Sequence, residues 1–179
     1  MAWSAKISGV EQQAPEIQAA IREGEQAGME ELGIKGAEMV QQNIATPFEG
    51  KPPAVCFGNL AGSITSKFEW LPDAAHLIIG VSPQLGADKY AAPVETGARP
   101  HMPPPDALLL WVKKKFDIDD EKQAASVAFA VAKKIATRGT QGHQMFSRGL
   151  EQLEPMVAPA LEKNIAVALS RHGFTEVTA

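Results

Sequence analysis

Histidines are the residues of this chain best suited to metal binding or acid–base catalysis. They stand at four positions, namely His76, His101, His143 and His172. No two have the i, i+4 spacing that places both imidazoles on one face of a helix, and no glutamate separates a helical pair. His101 and His143 could meet in space if their loops converge, but two solvated loop histidines are the simpler interpretation. The sequence therefore predicts no metal site and no cofactor.

The candidate nucleophiles lack the partners that catalysis needs. Ser63 and Ser147 do not stand in the G-x-S-x-G turn that presents a reactive serine, and Cys56, the single cysteine, has no nearby base. The glycines of "FGNLAGS" (57–63) lack the lysine and the following hydroxyl residue of a phosphate-binding loop. We therefore predict that the protein is not an enzyme.

The most unusual stretch is "VETGARPHMPPP", residues 94–105. Its prolines hold the chain extended at low entropic cost, which suits an arm that docks onto a neighbour. Glu95 and Arg99 flank a glycine and could pair with each other or across a subunit boundary. His101 and Met102 are the predicted contact residues at the tip. The residues predicted to fix the conformation of this loop are Gly97, Pro103, Pro104 and Pro105.

Apolar residues at near-helical spacing predict one long amphipathic helix over about residues 11–45. Its glycines are costly, because each destabilises a helix interior by roughly 0.5–1 kcal/mol relative to alanine. Two interpretations stay open. The glycines could mark a bent helix or a pair of helices, or Gly24 and Gly28, four residues apart, could let another backbone approach closely.

The pattern changes to a two-residue repeat after the Pro- and Gly-rich segment 46–62. It predicts an antiparallel hairpin of roughly residues 63–71 with 75–82, joined by a turn at Pro72 and Asp73. A long connection, 83–105, follows, with a short strand expected near 90–94.

The C-terminal half is predicted to be helical. Asp106 is the expected N-cap of a helix that ends in lysines, and a second helix is expected over 121–137 with Gly139 as its stop. A third apolar series, 150–168, is interrupted by prolines, so a helix either begins near 155 or is kinked there. The predicted fold class is α+β, with a long N-terminal helix and C-terminal helices packed on a small antiparallel sheet. We expect a single domain over 1–179 with a helical insertion at about 106–137.

Composition and charge narrow the function classes. Twenty-one acidic and 17 basic residues give a net charge of −4, which disfavours a general binder of nucleic-acid phosphates. A single cysteine fits a reducing, cytoplasmic origin, and the sequence shows neither the apolar core of a signal peptide nor an apolar run long enough for a membrane span. Lysines 113–115 and 133–134 leave open an alternative, in which the protein contacts DNA.

The order of motifs resembles the tail-completion, or head–tail joining, proteins of long-tailed bacteriophages, also called neck proteins or minor tail protein Z-like proteins. In chain order the motifs are a glutamine-rich helix, "GNLAGSIT", a strand ending in "IIGV", "KYAAPVETGARPHMPPPDALLLWVKK" and "HQMFSRGLE". The similarity covers roughly residues 10–170 and depends on the order and spacing of motifs that are weak singly. The chain departs from the common form at Pro93, at Ala98 and in the insertion 106–137.

The resemblance implies roles for the positions that match the family's phrases. Gly58 and Asn59 begin the phrase before the hairpin and are implied to fix that loop. The implied partner or subunit contacts, together with those of the arm, are Tyr90, Glu95, Arg99, His101, Met102, Phe146 and Arg148.

The resemblance also implies a function and a set of partners. The implied protein is a structural virion component that completes the tail and joins it to the DNA-filled head as a ring, expected to be a hexamer, at the neck. Its partners would be further copies of itself, tail terminator or tail tube proteins and head-closure or connector proteins, with DNA only passing through the lumen. It would be assembled in the bacterial cytoplasm and reside in the virion, with no membrane contact. A tail terminator or another neck protein is the neighbouring alternative.

Overall fold

The computed structural model describes residues 14–51, 53–54, 58–71 and 74–174. It confirms the α+β class, with helices dominating two small two-stranded sheets. The helices are α1 (Ala14–Ala45), α2 (Asn59–Gly62), α3 (Asp88–Thr96), α4 (Pro105–Phe116), α5 (Glu121–Arg138), α6 (Met145–Leu153) and α7 (Val157–Arg171). The strands are β1 (Ile64–Trp70), β2 (Ala75–Val81), β3 (Gly97–Ala98) and β4 (Thr140–Gln141). Within the described residues, no helix is long and apolar enough to cross a membrane.

The chain divides into two compact units. The first comprises the described residues of 1–35, 66–78 and 153–179, and the second comprises 36–65 and 79–152. The division into two compact units does not test the expectation of a single domain, which stays a prediction. The arm and the helical insertion both belong to the second unit.

Helix α1 is one continuous helix whose buried positions recur every four residues. This series is Ala20, Gly24, Gly28, Leu32, Gly36, Val40 and Ile44, and Gly33 and Asn43 beside it are buried as well. A β-carbon at Gly24 would overlap the backbone of Ile165, and one at Gly28 would lie 2.9 Å from Cδ2 of Leu161. The prediction that these two glycines admit a neighbouring backbone is therefore confirmed, and the neighbour is α7.

Polar contacts reinforce the packing of α1 on α7 in the first unit. Glu31 accepts hydrogen bonds from Lys35 Nζ at 2.6 Å, from Asn164 Nδ2 at 2.9 Å and from Lys163 Nζ at 3.2 Å. These donors, Lys35 first, lower the pKa of the Glu31 carboxyl to about 2. The carboxylate thus stays ionised over the whole neutral range.

Strands β1 and β2 form the predicted hairpin, since a four-residue connection joins antiparallel neighbours only. At the turn, the Leu71 N–H donates to the Ala74 carbonyl at 2.9 Å. At the open end, the Ser82 N–H donates to the Ser63 carbonyl at 2.7 Å. Both bonds fit a single register, so by alternation Gly80 directs its backbone polar groups toward β1, and its two neighbours, Ile79 and Val81, direct theirs away from it.

The strand expected near 90–94 was wrong, because residues 88–96 form α3. Asp88 lies in its first turn, and Ala91 is buried in the core of the second unit. Pro93 lies inside this helix and costs it a backbone hydrogen bond, which a two-turn helix packed on the core can tolerate. The arm predicted at 94–105 is correspondingly shorter: 94–96 end α3, 97–98 form β3, and 99–104 belong to no helix or strand and bend at Pro100.

Helices α4 and α5 form a helical hairpin in the predicted insertion. Val112, Ala124 and Ala128 are fully buried and form a small core of their own, and Ala132 of α5 is fully buried as well. Gly139 ends α5 with a positive φ of 67°, as predicted. Asp106 does not cap α4: Pro104 occupies the N-cap position, Pro105 opens the helix, and Asp106 lies in the first turn. Proline is well suited to that opening position, because its φ is already helical and the missing N–H would have no helical partner.

The interrupted third apolar series forms two helices instead of one kinked helix. Helix α6 ends at Leu153, a 3-10 turn covers Glu154–Met156, and α7 begins at Val157. Pro155 falls in the turn and Pro159 in the first turn of α7, where its missing N–H costs no hydrogen bond. The helix beginning near 155 is thus confirmed.

Candidate assembly surface

The proline-rich segment 99–104, which we call the arm, is exposed over most of its length. Arg99, Pro100, His101 and Met102 are exposed in succession, and 51% of Met102 is accessible. The polar contact of the His101 ring is local, with Nδ1 lying 2.8 Å from the Arg99 carbonyl oxygen. An apolar side chain and two basic ones are therefore presented outward by a stiff backbone.

The arm begins at a backbone junction that admits only glycine. Gly97 has a φ of 83°, and a β-carbon there would overlap the Thr140 carbonyl oxygen. Gly97 pairs with Gln141 and Ala98 with Thr140 in the short β3–β4 ladder. A β-carbon at Gly139 would likewise overlap the Ala98 carbonyl oxygen. This geometry supports the predicted loop-fixing role of Gly97, which stays a prediction.

Glu95 caps the N-terminus of α6, 50 residues away in sequence. Its carboxylate accepts the Phe146 N–H at 2.9 Å, the Ser147 N–H at 3.0 Å and the Ser147 hydroxyl at 2.7 Å. The first amides of a helix have no intrahelical acceptor, and the helix dipole favours an anion there. Glu95 therefore pairs with α6 within its own unit and does not bridge to Arg99.

The segment before α6 caps α3 in return. The His143 N–H donates to the Val94 carbonyl at 2.7 Å, and the Gln144 N–H donates to the Glu95 carbonyl at 3.1 Å. These are carbonyls of the last turn of α3, which have no partner inside the helix. We call this reciprocal capping, together with the β3–β4 ladder, the junction. It fixes the base of the arm.

Arg148 connects α6 to the C-terminal end of α1. One guanidinium nitrogen lies 2.9 Å from Asn43 Oδ1 and 3.3 Å from Thr46 Oγ1, and the other lies 3.4 Å from the Asn43 carbonyl. The guanidinium carbon lies 4.4 Å from the centroid of the Phe48 ring. Asn43 is only 3% exposed, so these contacts satisfy a buried amide. The predicted contact residue Arg148 is therefore engaged inside the second unit.

The Phe48 ring also lies close to the side chains of Lys51 and His143. Lys51 Nζ lies 5.1 Å from the ring centroid and donates to the Gly142 carbonyl at 2.7 Å. The His143 ring lies 5.9 Å away and is 5% exposed, and neither of its nitrogens has a hydrogen-bond partner among the described residues. His143 thus acts as a packed core residue and does not meet His101.

Of the remaining predicted site residues, Tyr90 and Phe146 lie on helices, and Gly58 and Asn59 lie at the start of α2. Tyr90 lies on α3 with 40% of its surface accessible, and partial burial raises the pKa of its phenol. Phe146 is half-buried against the core of the second unit. Gly58 has a φ of 79° and immediately precedes α2, which begins at Asn59, so a glycine is required at that turn. The Asn59 carbonyl accepts the Ser63 hydroxyl at 2.5 Å.

A shallow apolar cleft of about 330 Å³ lies beside the junction in the second unit. Its walls are β2, α3 and α6, and the lining residues are Ile79, Gly80, Val81, Ala91, Ala92, Glu95, Thr96 and Phe146. Three of these are consecutive residues of β2. The side chains of Ile79 and Val81 point to the same face of the strand, and Gly80 between them has no side chain, so the cleft lies over that face of β2.

The helical hairpin exposes several large apolar side chains. Leu110 on α4 is 73% accessible, Phe129 on α5 is 55% accessible, and Phe116 near the tip is 51% accessible. Single exposed apolar residues are ordinary, but several large ones on one small element are typical of interaction surfaces.

The lysines of the hairpin do not form one patch. Lys113–Lys115 lie in the last turn of α4, next to the connection to α5. Lys133 and Lys134 lie near the opposite end of α5, about 15 Å further along an axis that rises 1.5 Å per residue. This separation weakens the argument for one continuous phosphate-binding surface.

Sequence reasoning missed the reciprocal capping, although one signal for it was present. The three residues before α6 are Gly142, His143 and Gln144, and none of these is a preferred N-cap residue. A buried helix start without a local cap requires an acceptor from elsewhere in the chain. The sequence does not say that this acceptor is Glu95.

Within the described ranges, no three His, Cys, Asp or Glu residues group closely enough to hold a metal ion. The candidate site is accordingly a surface formed by the arm, the junction that fixes its base, and the cleft beside it. Comparisons of the chain with known protein families, with curated proteins and with solved structures found no match.

Proposed function

We propose that this protein is a structural subunit of a long-tailed phage virion that completes the tail and joins it to the DNA-filled head as a ring at the neck. The observation that carries the proposal is the arm, a stiff segment that is exposed along its length and anchored at both ends. An arm of this kind loses little conformational entropy on docking, so it suits repeated contact between identical subunits.

The contact residues proposed within this function are those that the arm presents outward, Arg99, His101 and Met102, together with the exposed Tyr90. Glu95 and Arg148 position the arm, because they fix α3, α6 and the end of α1 around its base. The partners are further copies of the chain, tail terminator or tail tube proteins, and head-closure proteins. In this proposal the protein assembles in the host cytoplasm and resides in the virion, and DNA passes through the ring without being recognised.

Assembly of the purified protein tests the proposal most simply. We expect sedimentation velocity to show a concentration-dependent closed oligomer, and we expect that oligomer to bind purified tails. Strictly monomeric behaviour with no binding to tails would contradict the proposal. In an infection that lacks the protein, separate full heads and finished tails would identify a joining role, whereas tails of irregular length would identify a terminator.

DNA binding is the competing function, and a gel shift on duplex DNA at low salt distinguishes it. Because the two lysine groups lie at opposite ends of the hairpin, we expect no salt-dependent shift. A shift that falls steeply with salt and disappears in a Lys113→Ala/Lys114→Ala/Lys115→Ala variant would favour the DNA-contacting alternative.

A further inference from the structure

The outer edge of β2 is an unpaired strand edge, and the face of the strand that carries Ile79 and Val81 lines the apolar cleft. Ile79 and Val81 direct their N–H and C=O groups away from β1, and among the described residues no hydrogen bond satisfies them. Gly80 lies between them, and a β-carbon there would meet nothing within 4 Å. A free edge beside an apolar cleft is the usual receptor for an added extended strand.

The arm has the backbone pattern of a segment that can pair along one edge only. Docking as a strand would straighten the bend at Pro100, and in the extended chain Arg99 and His101 direct their N–H groups to the same side. Pro100 and Pro104 carry no N–H, so the opposite side offers only that of Met102. A segment of this kind can add to one strand, and its prolines then prevent a further strand from adding to it.

The charge and the polarity of the arm also complement those of the cleft. Among the described residues that line the cleft, Glu95 alone is charged, whereas the ionisable groups of the arm are Arg99 and His101. Met102 supplies an exposed apolar side chain for a cleft whose walls are largely alanine, valine, isoleucine and phenylalanine. The contact between His101 Nδ1 and the Arg99 carbonyl would be exchanged for a bond to the strand.

The cleft is not occupied by the arm of the same chain. That arm is fixed at one end by the β3–β4 ladder and at the other by Pro105 of α4, and none of its residues lines the cleft. We propose that the arm of a second copy of this chain adds as a strand to the outer edge of β2, with Met102 in the cleft. The inference rests on the proposed assembly function and names the surface through which neighbouring copies meet.

Cysteine cross-linking between differently tagged copies tests this arrangement in the full-length protein. In a Cys56→Ser background, one copy carries Met102→Cys and the other carries Ala92→Cys, an exposed position in the cleft wall. A disulfide requires β-carbons about 4 Å apart, so a heterodimeric band on a non-reducing gel reports docking between copies. The matched control replaces Ala92→Cys with Ser126→Cys, which is exposed on α5.

We expect the Met102–Ala92 pair to cross-link at least about tenfold faster than the control pair, which corresponds to about 1.4 kcal/mol of preference. Addition of Thr96→Trp to both copies should abolish this excess, because Thr96 is an exposed residue of the cleft lining and the bulky indole would occupy the space that Met102 enters, while Tm changes little.

Equal rates for the two pairs in a protein that still forms oligomers would overturn the docking proposal and leave the assembly function standing. A chain that stays monomeric at every concentration tested would overturn both. Cross-linking that persists undiminished in the Thr96→Trp protein would also contradict docking in this cleft.

Discussion

Two segments of unusual composition, the glycines of α1 and the prolines of the arm, differ in what the fold does with them. Gly24 and Gly28 are buried and touch the backbone or side chains of α7, so contacts inside the first unit account for them completely. The prolines of the arm are equally unusual, but the residues of the arm are mostly exposed and none of them belongs to the buried core of the second unit. A segment of unusual composition does not require a partner when packing inside the chain explains it. A segment of unusual composition that remains on the surface indicates a contact with another molecule.

The largest effect is expected at the glycine contact. Gly24→Val would place a branched side chain against the backbone of Ile165, which cannot relax as a side chain can. We expect a loss of about 3 kcal/mol in the free energy of unfolding, at the upper end of the cost of overpacking. Chemical denaturation followed by circular dichroism measures it. Ala27→Val, at an exposed position of the same helix, is the control and should cost about 0.5 kcal/mol.

The next effect concerns the junction at the base of the arm. Glu95→Ala leaves the first amides of α6 without their acceptor, so we expect a loss of about 2 kcal/mol in unfolding free energy. Glu95→Gln retains one acceptor oxygen and should lose about half as much. The control is Glu151→Ala, at an exposed position of α6. Equal stability of the two alanine variants would show that the junction does not depend on this carboxylate.

A smaller effect is expected in acid, again in the first unit. The pKa of Glu31 is lowered to about 2 from an ordinary 4.5, so its stabilising contribution is complete above pH 4.5 and is lost as the pH falls toward 2. Glu31→Gln should therefore flatten the decline of Tm between these values. Glu162→Gln, at an exposed position of α7, should leave the decline as it is in the parent protein. Parallel Tm profiles for both variants would contradict the assigned pairing.

The smallest effect on stability is expected in the arm itself. Met102→Ser alters a half-exposed side chain, so the free energy of unfolding should change by no more than about 0.5 kcal/mol. The same variant should weaken self-association measured by sedimentation. A large loss of stability would place Met102 among the residues that hold the fold and would remove the contrast with Gly24.

Local signals predicted the helices and the hairpin well. The stripe of small residues and the glycine after it predicted α5 and its end at Gly139. The two-residue repeat predicted β1 and β2. The segment around Pro93 was predicted wrongly because tyrosine, valine and proline disfavour helix locally, whereas burial of Ala87 and Ala91 in the core favours it. Packing outweighed propensity there.

The candidate surface was only partly predictable. The exposure of the arm follows from its own composition, so the sequence was sufficient to indicate it. The roles of Glu95 and Arg148 depend on partners 50 or more residues away, and no periodicity reports which distant amide or carboxylate a side chain will meet. The cleft depends on where α3 and α6 lie beside β2, which is also a property of tertiary packing.

Replacement of residues 99–104 by a glycine–serine segment of equal length tests the central claim most directly, with Tm and sedimentation velocity measured on the same samples. The account predicts that Tm stays within about 2 °C of the parent protein, because no residue of the arm belongs to the buried core of its unit, and that the oligomer is lost. An oligomer that persists with the prolines removed would contradict it.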